Sequence, residues 1–216
     1  MRKLETPTTL VACLLAAAVA SACDRAATPP FASEPPSFNI FPGESPACFR
    51  LTGGGRIDKP EPVVLMAQPK NTPDSRDFAT FGFQARPIDC NDPNGSGQIE
   101  WVEHNPNAIL GGFSFHASVN WFVEVQDHYG STGNPKNGCG RFAGNDGRVK
   151  GRNGQTYENI SFVVEHACDR GEPGVGRDHI RICLGTADGN SCQVGNAAYR
   201  RDGILTGGNI QKHKLS

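Results

Sequence analysis

Cysteine is the residue type in this chain most able to do chemistry. Besides Cys13 and Cys23 near the start, six are spread along the rest: Cys48, Cys90, Cys139, Cys168, Cys183 and Cys192. No two have the Cys-x-x-Cys spacing of a zinc site, and only Cys183 and Cys192 stand close in sequence. An even number in an exported chain points instead to three disulfides, although six cysteines leave many connectivities open. If Gly151 to Gly154 turns a hairpin, Cys139 and Cys168 face each other near its open end. Cys183 and Cys192 flank Thr186 to Asn190, a loop they can staple, which leaves Cys48 and Cys90 to pair.

Acid–base and metal chemistry have weaker carriers. His104, His116, His128, His166, His179 and His213 are scattered, with Glu103, Glu165 and Asp178 beside three of them. Neighbours on a strand point to opposite faces, so Glu103-His104 and Glu165-His166 make poor acid–base pairs. His104 and His116 are a candidate metal pair across adjacent strands. Asp169, Glu172 and Asp178 share one glycine-rich loop and are the candidate calcium ligands, since calcium takes oxygen donors. The competing expectation is a turn in which Asp169 caps backbone amides while Pro173 and Gly174 shape the bend. Gly-x-Ser-x-Gly, His-Glu-x-x-His and a phosphate-binding glycine loop are all absent from the sequence. The expectation is therefore a chain with no catalytic residues and no cofactor beyond calcium, a secreted hydrolase being the weaker alternative.

The first residues set the compartment. Arg2 and Lys3 precede an apolar run from Leu10 to Ala20, and Ala20-Ser21-Ala22 is a small-residue cleavage site. That is the pattern of a secretory signal peptide over residues 1–22, with a run too short for the roughly 20 residues that span a bilayer. Ala-Ser-Ala-Cys also resembles a bacterial lipobox, which makes Cys23 the expected lipid-anchored first residue; two acyl chains suffice for stable anchoring. Ordinary cleavage before Cys23 is the alternative. Residues 23–47 read as the anchor and a linker, with Pro29, Pro30, Pro35, Pro36, Pro42 and Pro46 keeping it extended. The expected location is a membrane-anchored site in the periplasm or at the cell surface, or else secretion.

The rest, residues 48–216, reads as one domain. Gly at 26 and Pro at 16 of 216 residues favour tight turns over long helices. Phe113, Phe115, Ala117, Val119, Trp121, Val123 and Val125 occupy every second position, as one long strand with one buried face. Shorter alternations recur around Phe81, Ile99, Phe162 and Ile182. Turn chemistry separates them at Asn91 to Gly95, Gly133 to Gly138, Asn145-Asp146-Gly147 and Asn153-Gly154. About 8 to 10 strands in this style predict an all-β fold, an antiparallel sandwich or partly closed barrel.

Thr52-Gly53-Gly54-Gly55-Arg56-Ile57 opens the body, followed by Ala79 to Ala85, Gly97 to His104 and Phe115-His116. Asp169 to Asp178 follows, and Leu205-Thr206-Gly207-Gly208-Asn209-Ile210-Gln211 closes the chain. In this order the segments resemble the post-COAP domains found beside choice-of-anchor regions of exported bacterial proteins, over residues 51–213. The resemblance implies an all-β extracellular module and supplies no catalytic residues. The extra cysteines and the tether depart from the pattern.

Charge narrows the partners. The formal net charge is −1, and Arg148-Val149-Lys150-Gly151-Arg152 and Arg200-Arg201 are the only short basic pieces of note. Nucleic acid is therefore not expected as a partner. The expected role is an envelope or surface interaction module that meets the membrane through its lipid and an envelope protein or polysaccharide through its body. A carbohydrate- or calcium-binding module is the main alternative. For sugar stacking, the expected residue is Phe122, which interrupts the wet side of its strand.

Overall fold

The computed structural model describes residues 38, 40–58, 76–127, 138–186, 192 and 197–215. The signal-like stretch, Cys23, most of the proline linker and His128 lie outside them. Eleven strands run in chain order: β1 (Ser45–Pro46), β2 (Phe49–Asp58), β3 (Phe78–Pro87), β4 (Gly95–Glu103), β5 (Phe113–Ser118) and β6 (Trp121–Val125). They continue as β7 (Gly138–Gly151), β8 (Thr156–Asp169), β9 (His179–Leu184), β10 (Tyr199–Ile204) and β11 (Gly207–Lys214). A 3-10 turn, Ile109–Gly111, interrupts them. All pairings are antiparallel, in the order β10-β9-β8-β7-β5-β4-β3-β2-β11, with β6 and β1 branching from β7. The sheet curls into a half-barrel, so the expected all-β class holds in its partly closed form.

Alternation explains which side chains fill the hollow. Phe81, Phe83, Trp101, Phe115, Phe122 and Phe142 belong to one buried core on the concave side. Close approach demands glycine in β2: a Cβ on Gly53 would stand 2.6 Å from the Phe83 ring, its cross-strand partner. The glycine run thus makes room for aromatic rings that repack the gap.

The run from Phe113 to Val125 is two strands rather than one. It breaks at Val119–Asn120, where Val119 N–H donates to Gly97 O and Asn120 N–H to Ala143 O. The break shifts the pleat by one residue. Phe113, Phe115, Ala117 and Val119 face the core, whereas Trp121, Val123 and Val125 join a second cluster outside the sheet with Cys139, Cys168, Cys183 and Cys192. Phe122 turns inward and is fully buried against Phe49 and Phe142. It is no sugar platform. Asn145-Asp146-Gly147 also departs from expectation, because it is a bulge inside β7 rather than a turn between strands. A bulge leaves one residue unpaired and bends the strand, which relieves a long ladder in a curled sheet.

The disulfides close Cys48–Cys90, Cys139–Cys168 and Cys183–Cys192. Cys139 and Cys168 sit directly opposite each other on β7 and β8. Contacts with the body begin before Cys48. Phe38 stacks on Trp121, and Arg141 lies between the rings of Phe41 and Trp121 while its Nη1 donates to Glu44 at 2.7 Å. Among the described residues no helix is long and apolar enough to cross a membrane.

Candidate functional site

Four polar constellations stand out, and burial separates them into three that hold the fold and one that faces outward. The first lies inside the hollow. Trp101 and Glu103 point inward from β4, Tyr199 and Arg201 from β10. Tyr199 Oη donates to Glu103 Oε2 at 2.6 Å and accepts from Trp101 Nε1 at 3.0 Å. Arg201 Nη1 donates to the same Glu103 oxygen at 2.8 Å, and its Nη2 reaches Asp77 and the Ile57 carbonyl. Burial and the Glu103 charge push the Tyr199 phenol well above its ordinary range. Burial would lower the Arg201 guanidinium, but the anionic surroundings raise it instead. This strut crosses the half-barrel from β4 to β10.

The second is the Asp169–Asp178 loop. Asp169 Oδ1 accepts from Gly171 N–H and its Oδ2 from Lys212 N–H at 2.8 Å. Asp178, fully buried, accepts from Arg170 N–H at 2.9 Å and from Ile210 N–H at 2.7 Å. Glu172 Oε1 accepts from the amide side chains of Asn209 and Gln211. Ile210 and Lys212 are alternate residues of β11, whose other side pairs with β2. The carboxylates therefore supply the acceptors that a neighbouring strand would have offered, and they cover an edge that would otherwise invite pairing. Burial, aided by the nearby charges of Asp169 and Glu172, raises the Asp178 carboxyl against the pull of its two amides. The three acids share one latch between this loop and β11, and within it Asp169 caps the Gly171 amide as the turn reading expects.

The third occupies the outer face of β8, β9 and β10. Asp202 Oδ1 lies 2.6 Å from His179 Nε2, and its Oδ2 accepts from Arg181 at 2.8 and 2.9 Å. Arg181 also reaches Glu165, whose other oxygen takes the Cys192 N–H. Burial alone would raise Asp202, but the hydrogen bonds from His179 and Arg181 hold it down to about 2. A bulge between Val164 and His166 overturns the expectation that Glu165 and His166 face opposite ways. Both sit on the outer face, Glu165 on Arg181 and the His166 ring 6.5 Å from that of His179. Asp202 is a partner that sequence reasoning missed, because it lies one strand away from His179.

The remaining histidines separate. Glu103 is inward, whereas His104 stacks on Phe78 at 4.3 Å and meets Thr80 and Arg152. Burial, then the Arg152 charge, lowers the His104 imidazole. His116 is opposite Glu100 on β4, four residues back from His104, so the proposed metal pair is not assembled. His213 Nε2 lies 2.9 Å from Thr52 Oγ1. Among the described residues, Asp127, Cys139 and Cys168 bring three ligand-type atoms within 4.8 Å of one another, but both sulfurs are in a disulfide. Arg170 takes both Asp127 oxygens, at 2.8 and 2.9 Å.

The fourth constellation is open to solvent. A groove of about 320 Å³ runs over the outer face of β4, β5 and β7, lined by Glu100, Val102, Ser114, His116, Arg148 and Lys150. Register builds it in two rows, Val102–Ser114–Lys150 and Glu100–His116–Arg148. Alternation does what the linear sequence hides: Arg148 and Lys150 flank buried Val149 and share one face. His116 Nδ1 lies 3.6 Å from Glu100, and Arg148 Nε 3.1 Å from Glu158. Lys150 and Arg152 have no carboxylate within ion-pair distance among the described residues. This is the candidate functional site. Compared with family profiles, curated proteins and solved structures, the chain matches none.

Proposed function

We propose that this chain is an exported interaction module of the cell envelope, tethered through a lipid on Cys23 and carrying no catalytic step of its own. The observation that carries the reading is the set of three disulfides stapling one curled sheet. Such bonds persist in oxidising compartments outside the cytosol. The signal-like residues 1–22 and the lipobox-like Ala20 to Cys23 support the same reading, as does the likeness to post-COAP domains. The polar clusters fit it too: the inner strut, the carboxylate latch and the Asp202 cluster all consume their charges in holding strands together.

The test is the intact mass of the mature protein from its native host, alkylated without reductant. A mass of residues 23–216 plus a diacylglycerol adduct, with no alkylated body thiol, is the expected result. An unmodified N-terminus would remove the tether from the reading, and alkylated body thiols would remove the oxidising compartment. A second reading, carbohydrate binding, is favoured by the open groove.

A further inference from the structure

We propose that the groove over β4, β5 and β7 binds a carboxylate-bearing saccharide, a ligand class for the interaction role on which this inference rests. The first ground is charge. Arg148 and Lys150 are two residues apart on one strand, which spaces their Cα atoms by about 7 Å. Ser114 lies across from Lys150 and His116 across from Arg148. Arg152, just beyond the end of β7, extends the cationic line. An anionic group between Lys150 and His116 would receive charge-assisted hydrogen bonds, roughly twice as strong as neutral ones.

The second ground is the character of the surrounding face. Thr80, Gln84, Gln98, Ser114 and Ser118 supply hydroxyl and amide groups around the groove. Gly82 stands opposite Glu100, and a Cβ there would have nothing within 4 Å. Open space above Gly82 therefore adjoins Glu100, whose carboxylate can accept from sugar hydroxyls. The groove's volume is at the bottom of the usual range of about 300–1,000 Å³ for ligand sites. It suits a short segment of a chain.

The third ground is what the groove lacks. Val102 is the only apolar side chain on its outward rows, against Glu100, Ser114, His116, Arg148 and Lys150, so an acyl chain would lie against a wall mostly of polar and charged side chains. Trp101 and Phe115 lie beneath the groove's floor but are buried, at 0% and 2% exposure, and the half-buried Phe78 ring already carries Arg56 at 3.9 Å and His104 at 4.3 Å. Neutral sugars that depend on aromatic stacking have no platform here, so charge must supply the affinity. Nucleic acid requires more phosphate contacts than this short line offers, since Arg148 and Arg56 already have carboxylate partners.

The experiment is affinity electrophoresis of the full mature chain through gels containing polygalacturonate or neutral dextran, with flotation on phosphatidylglycerol vesicles alongside. Polygalacturonate should retard the protein and dextran should not. Lys150→Gln should weaken retardation by about tenfold, the scale of one charge-assisted contact. Glu100→Gln, which removes the competing anion beside His116, should preserve or strengthen it. Lys214→Gln, at the far edge of the sheet, should leave it unchanged. Absence of retardation would overturn the proposal, as would equal losses in Lys150→Gln and Lys214→Gln, or binding to vesicles alone. A lipidated, disulfide-closed protein that ignores polygalacturonate sinks the groove and leaves the tethered module standing. Groove binding by a protein with an unmodified N-terminus does the reverse.

Discussion

Arg201 on β10 and Glu103 on β4 meet inside the half-barrel at 2.8 Å, with less than a twentieth of either side chain exposed. Tyr199 and Asn105 complete the satisfaction of the carboxylate, through the phenol and the backbone N–H. Glu103→Ala leaves a buried guanidinium short of its principal partner and should lower stability by about 3–5 kcal/mol. The double variant Glu103→Leu/Arg201→Met should recover most of that loss. Denaturant unfolding with disulfides intact measures both, and a single-variant loss under about 1 kcal/mol would refute the strut.

The carboxylate latch predicts a local effect. Asp178→Asn turns an amide group toward an N–H that needs an acceptor, at a cost of about 1–3 kcal/mol. Hydrogen exchange should accelerate at Ile210 N–H while the amides that pair β3 with β4 keep their protection. Uniform acceleration across the sheet would argue against a latch.

Asp202 predicts an acid limb. Its carboxyl is held at about 2 against an ordinary 3.8, so its contribution is complete above pH 3.8 and is lost as pH falls toward 2. The difference corresponds to about 2 kcal/mol. Arg181→Met should flatten that part of the stability–pH curve. Asp178 has the opposite sign: its raised carboxyl favours the fold at low pH and loses that contribution as pH rises through its folded value.

His104 reports on Arg152. Removing the charge in Arg152→Gln should raise the imidazole toward its ordinary value, followed by NMR titration of the ring. Because the folded value is depressed, His104 stabilises the fold above pH 6.5 and ceases to do so on acidification. An unchanged titration would mean that burial alone sets it.

Loss of the Cys139–Cys168 bridge, in the double Ala variant, should cost roughly 3–4 kcal/mol on the chain-entropy account of its loop of 29 residues. Thermal unfolding measures it. Retention of full stability would mean the hairpin ladder alone fixes this end of the sheet.

Period-two alternation made the β architecture legible; the hairpin around Asn153-Gly154 led to Cys139–Cys168, the short loop to Cys183–Cys192, and the remainder to Cys48–Cys90, the pairs that the structure closes. What escaped were the places where alternation slips by one residue. The break at Val119–Asn120 sends Trp121 outward and Phe122 inward, and the bulge at Glu165 places two neighbours on one face. Slips of this kind depend on hydrogen bonds to distant strands, such as Asn120 to Ala143, and leave no local mark. The groove escaped for a related reason. Its charge is unremarkable when summed along the chain and becomes a feature only when Val149 and its neighbours are sorted by face.

β2 and β11 are sheet neighbours although almost the whole body separates them in sequence, with Phe49 opposite Lys214. A chain delivered from its N-terminus therefore carries β2 with one side unpaired until the final strand arrives. Pairing across so long a loop is slow. The order in which the strands become available thus matters to this protein more than to a meander of local hairpins, and a short C-terminal truncation would leave its first long strand paired on one side alone, to β3.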